Sequence, residues 1–128
     1  MNSKPTKVIL VKNAQYGWYK RDNPYMPPDD ELLILEDYFG SGLGNDPSQA
    51  SSIKNLILRD IIGSDLIGSE IIDGKIRLYH LFINNLKEPQ LTKEELLKLV
   101  DKWFELVTAK ANKIVIMNDN GKFSIVTE

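Results

Sequence analysis

Apolar positions recur at two different periods along this chain, and the switches between them mark its elements. Residues 7–12 (KVILVK) form a short β-branched run with polar ends, the pattern of a buried strand. Residues 13–30 break that pattern with three prolines, a glycine, three tyrosines and a tryptophan, and read as a long aromatic-rich loop. Residues 29–39 (DDELLILEDYF) carry helix signals: acids in the first turn, prolines before, Gly40 after. Their apolar centre, 32–35, reads equally as a buried strand; helix is the favoured reading. Residues 40–45 (GSGLGN) read as a flexible loop.

Asp46-Pro47 is a strong helix opening, with Asp as N-cap and Pro in the first turn. Ile53, Leu56, Ile57 and Ile61 keep helical spacing, and Gly63 is the expected C-cap. Asp73-Gly74 between β-formers predicts a tight hairpin whose second arm is 76–83. Thr92 and Glu95 have the spacing of a capping box. Leu96, Leu99, Val100, Trp103 and Val107 then form one helical stripe, with Trp103 expected in the core. Strands at 113–117 and 122–126 flank a turn at 119–121. The order β-α-α-β-β-α-β-β predicts an α+β fold: an antiparallel or mixed sheet of about five strands, with about three helices packed mainly on one face.

Length and composition narrow the picture. The 128 residues suit one domain, 1–128, and 42% hydrophobic content suits a real core. Cysteine is absent, which removes disulfides, thiol catalysis and cysteine-bound metals. Residues 1–7 are polar, so no leader is expected, and no apolar run approaches the length of a membrane span. The expected location is cytoplasmic. A net charge of −2 with scattered lysines argues against nucleic acid and membrane as partners.

Candidate chemistry is sparse. The stretch 62–70 (IGSDLIGSE) has the glycines of a phosphate cradle, but they follow a helix instead of preceding one, and the Walker lysine is missing. Gly63 as a helix stop and Gly68 as a turn or bulge is the expectation there. His80, the only histidine, lies mid-strand among apolar neighbours and reads as structural. Asp29, Asp30, Glu31, Glu36 and Asp37 form an acidic cluster, read as helix-dipole acids or as the face shown to a basic partner. Tyr16, Trp18, Tyr19, Arg21 and Tyr25 crowd the first loop with the residue types of interface hot spots. No catalytic set, cofactor site or metal site is expected, and the chain is not read as an enzyme.

Ile62-Gly63, then Gly68-Ser69-Glu70, then the strand at 76–83 resemble a pattern in immunity proteins of bacterial polymorphic toxin systems, including contact-dependent growth inhibition. The likeness spans residues 46–84. It implies a small cytoplasmic protein that binds one cognate toxin C-terminal domain, often a nuclease, and neutralises it by covering the active site. Under that reading Tyr16, Trp18, Tyr19, Arg21 and Tyr25 are the anchors, with Asp29, Asp30, Glu31, Glu36 and Asp37 as charged complement to a basic cleft. The competing expectations are a small carboxylate- or metal-dependent enzyme, and a phage or plasmid accessory protein that binds another host protein.

Overall fold

The computed structural model describes residues 4–128, so residues 1–3 of the polar opening lie outside the described residues. Seven strands and three α-helices form an α+β fold in two antiparallel sheets. The larger sheet has the order β2 (Tyr19–Arg21), β1 (Thr6–Lys12), β6 (Lys113–Asp119), β7 (Lys122–Thr127). The smaller has β3 (Ile67–Ile72), β4 (Lys75–His80), β5 (Gln90–Thr92). Two of the seven, β2 and β5, are three-residue strands, and β2 lies inside the segment that read as loop. Such strands are too short for an alternation to show, and their pairing partners decide them.

Both tight hairpins form as their turn residues dictate. Asp73 and Gly74 have φ of 51° and 76°, and Asn120 and Gly121 have 53° and 94°. Positive φ at both central positions is the two-residue turn that matches strand twist. In α3 (Lys93–Thr108) the capping box closes as expected: Glu95 N–H donates to Thr92 Oγ1 at 3.1 Å, and Thr92 N–H to Glu95 Oε1 at 3.0 Å. Trp103 is fully buried and its Nε1–H donates to the Gly44 carbonyl at 2.9 Å.

Residues 32–35 are helical. Asp29 caps α1 (Asp30–Glu36), and the chain continues through a π-helical turn, Asp37–Leu43, which includes glycines read from sequence as loop. α1 touches β1 and β6 of the larger sheet and β4 of the smaller. Leu32, Ile34 and Leu35 are all fully buried. A helix enclosed on several sides loses its polar stripe, which is why its centre resembled a strand. α3 likewise bridges β7 and β5, with α2 (Ala50–Leu58) against its flank.

The two glycines of residues 62–70 have other roles than those expected. α2 stops at Leu58, and Asp60 takes the left-handed φ of 62°, so Gly63 is no helix cap. Gly63 has φ of 133°, and a Cβ there would sit 2.8 Å from the Ile67 carbonyl oxygen. That close approach lets Ser64 N–H donate to the same oxygen at 2.8 Å. Gly68 is neither turn nor bulge but part of β3, where a side chain would overlap the Tyr79 ring. Ser69 Oγ donates to the Ile62 carbonyl at 2.8 Å. The stretch is a folded crossing into a sheet.

Candidate functional site

The aromatic loop is held by two asparagine-nucleated turns on either side of β2. Asn13 Oδ1 accepts from Gln15 N–H at 2.9 Å and Tyr16 N–H at 2.8 Å, while Gly17 N–H donates to the Asn13 carbonyl at 2.8 Å. Asn23 Oδ1 accepts from Tyr25 N–H at 3.0 Å. Side-chain amide caps of this kind fix a loop without burying it. The first turn presents Tyr16 and Trp18, stacked at 5.2 Å between ring centroids and 58% and 61% exposed. The second presents Tyr25 at 91% exposure and Met26 at 70%.

Tyr16 and Trp18 border a hollow of about 670 Å³ with Asn13, Lys20, Gly40, Ser41 and Asn45. Asn45 Nδ2 donates to the Tyr16 carbonyl at 3.4 Å. The hollow is therefore bounded by the hairpin on one side and the π-helical turn on the other. Exposed stacked rings over a preformed hollow can bury much apolar area on contact while losing little conformational freedom.

The other residues singled out in the sequence are differently placed. Tyr19 belongs to the core: it is 6% exposed, stands edge-on to Trp103, and its hydroxyl donates to the Ala111 carbonyl at 2.5 Å. Burial raises its pKa above the ordinary tyrosine value. Period-two geometry explains the correction, because Tyr19 shares the core side of β2 with Arg21 while Lys20 points outward. Arg21 turns inward to pair with Glu36, Nε to Oε1 at 3.0 Å. Neither is a surface anchor.

All five acids of the cluster are engaged within the chain. Asp29 Oδ1 accepts from Leu32 N–H at 2.8 Å as the cap of α1, and its Oδ2 accepts from Thr6 Oγ1–H and from Asn118 Nδ2 at 3.4 Å. Asp30 Oδ2 accepts from Lys87 N–H at 2.9 Å. Glu31 is buried, accepts from Asn118 Nδ2 at 3.2 Å and pairs with Lys87 Nζ at 3.6 Å. Glu36 meets Arg21, and Asp37 Oδ2 meets His80 Nε2 at 3.0 Å. Burial pushes the Glu36 carboxyl above its ordinary value, Arg21 pulls it back, and the Asp37 charge adds a smaller upward push. The expected charged complement to a basic partner is thus committed to the fold.

His80 is also fully used. Its Nδ1 accepts from Phe82 N–H and Ile83 N–H, both at 3.1 Å, which leaves Nε2–H to donate to Asp37. A ring with both nitrogens occupied is a turn cap and not a free base. It ends β4 at His80, short of the expected arm to residue 83, and turns Phe82 outward at 71% exposure. Sequence reasoning missed Phe82 and Met26. The only signal for Met26 was the asparagine three residues before it.

Among the described residues no three His, Asp or Glu side chains are placed to hold a metal ion. Nor is any helix long and apolar enough to cross a membrane. Comparison with protein families, with curated proteins and with solved structures finds no match to this chain.

Proposed function

We propose that this chain is a binding protein that neutralises a partner by direct contact, acting in the cytoplasm as an immunity protein against a bacterial toxin domain. The observation that carries the binding role is the exposed Tyr16–Trp18 stack beside its hollow. Large rings held in water by capped turns are costly to keep unless a partner covers them. The toxin-directed part rests on the resemblance of residues 46–84 to immunity proteins. A nuclease domain is the first partner class to test, with the aromatic loop inserted at its active site. Tyr16, Trp18 and Tyr25 remain the anchors; the acids do not, since each already has a partner.

The test is co-purification of the tagged chain with the toxin domain encoded beside it, followed by calorimetry. Replacing Tyr16 and Trp18 together by alanine is expected to weaken binding by about thirtyfold, with melting temperature held. Unchanged affinity would remove the loop from the interface. Failure to capture the domain would remove the toxin reading.

A further inference from the structure

We infer that the outward face of the larger sheet docks an acidic protein surface with an apolar centre. The inference rests on the binding-protein reading above and names the chemistry of the partner's surface. Val8, Leu10, Ile114, Ile116 and Ile125 face the helices and are buried. Alternate residues of the same strands therefore point away from them.

Strand register arranges that face in rows. Lys20, Val11 and Lys113 form one; Ile9, Val115 and Val126 the next; Lys7, Met117 and Ser124 the third. Lys122 follows at the hairpin end, opposite Asp119. The middle row is aliphatic throughout. Val115 is 3% exposed although it lies outside the main core, so its neighbours on this face already close over it, while Val126 is 38% exposed.

The charge around that row is unspent. Lys7, Lys20, Lys113 and Lys122 are all exposed. None makes an ion pair with a described residue, whereas Lys54, Lys87, Lys93, Lys102, Arg21 and Arg77 all do. Three acids share the region: Asp119, which accepts from Asn120 Nδ2, Asp22, whose N–H donates to the Ile9 carbonyl, and the exposed Glu128, two residues beyond Val126 and next in register to Lys113. Four lysines against three acids leave the face at +1 on a chain whose net charge is −2.

An apolar centre inside a charged rim is the anatomy of a protein interface. Nucleic acid fits less well, because the face holds too few cations for phosphate neutralisation. A bilayer fits less well too, because the centre is flush and closed and offers little to insert. Lys20 also borders the aromatic hollow, so the face is continuous with the proposed anchors. The complementary patch is acidic, so on a nuclease partner it would lie beside, and not within, the nucleic-acid cleft.

The experiment is a titration of the isotope-labelled chain, followed by amide chemical shifts, with three probes: an alternating Glu–Val octapeptide, its Lys–Val counterpart and a short uridine oligonucleotide. The Glu–Val peptide is expected to shift Ile9, Val115 and Val126, with affinity falling as salt rises. The double variant Lys20→Glu/Lys113→Glu is expected to weaken that binding by about tenfold with melting temperature held. Shifts elsewhere, no shifts, or tighter binding of the oligonucleotide would overturn the inference. Peptide shifts without toxin capture would sink the proposed function and leave this face standing. Toxin binding untouched by the double variant would sink this face and leave the function.

Discussion

Two charged regions lie on opposite sides of the larger sheet, and they use their charge differently. On the helix side, Asp29, Asp30, Glu31, Glu36 and Asp37 each reach a donor within the chain. On the outward side, Lys7, Lys20, Lys113 and Lys122 reach none among the described residues. In the sequence the acids are the conspicuous set, clustered in nine residues, and the lysines are scattered over more than a hundred. Clustering along the chain marked a helix start and its partners. Clustering in space, set by strand register, marked the free charge. A charge is available to a partner only where folding has not already used it, and the contrast can be tested from either side.

The largest effect is expected at Glu36. It and Arg21 are the most enclosed ion pair between formal charges, with side chains 14% and 19% exposed. Glu36→Ala strands the guanidinium and is expected to cost about 2 kcal/mol by urea denaturation, below the cost for a fully buried pair. A loss under about 0.5 kcal/mol would class the pair with surface bridges and blur the comparison. Acid titration sharpens it. Because burial raises the Glu36 pKa, the native chain holds this proton to higher pH than the unfolded chain does. This group's contribution to stability therefore declines as pH rises from its ordinary value of 4.5 through the raised one, and is level above. Glu36→Gln is expected to remove that decline.

Asp29 comes next. Its carboxylate caps α1 and also ties Thr6 of β1 and Asn118 of β6 to the helix start. Asp29→Ala is expected to cost about 1 kcal/mol, and Asp29→Asn distinctly less, since an asparagine oxygen caps nearly as well. Equal losses in thermal denaturation would mean that the charge, and not the cap, carries the contribution.

Local chemistry made much of this fold legible before any coordinates. Asp-Gly and Asn-Gly turns, the Thr92–Glu95 box and the stripe from Leu96 to Val107 are decided by neighbours within a few residues, and all formed. What was illegible depended on distant partners. Tyr19 is core because Trp103 and Ala111 meet it from the far end of the chain. β2 exists because β1 offers it an edge, and Gly68 is glycine because Tyr79 lies across it. The candidate site divides the same way. Tyr16, Trp18 and Tyr25 are exposed by turns nucleated two to five residues earlier, a local signal. The lysine face has no local signal, because its rows join residues 20, 11 and 113 across three strands.

The smallest effect has the opposite sign, which makes it the sharper test. Lys20 and Lys113 stand on the strands flanking β1, level with Val11. Two strand spacings separate them by about 10 Å. Unpaired like charges at that distance in water repel by about 0.4 kcal/mol, and physiological salt screens most of it. Removing either one should therefore not destabilise the fold. Lys20→Gln or Lys113→Gln is expected to raise stability by a few tenths of a kcal/mol in low-salt buffer, with the gain fading as salt is added. The losses at Glu36, whose ion pair is largely enclosed, and at Asp29, whose partners are neutral groups, are expected to persist in salt. Destabilisation on removing either lysine would show that it has a partner within the fold. The two sides of the sheet would then no longer differ in kind, and the docking face would lose the free charge on which it depends.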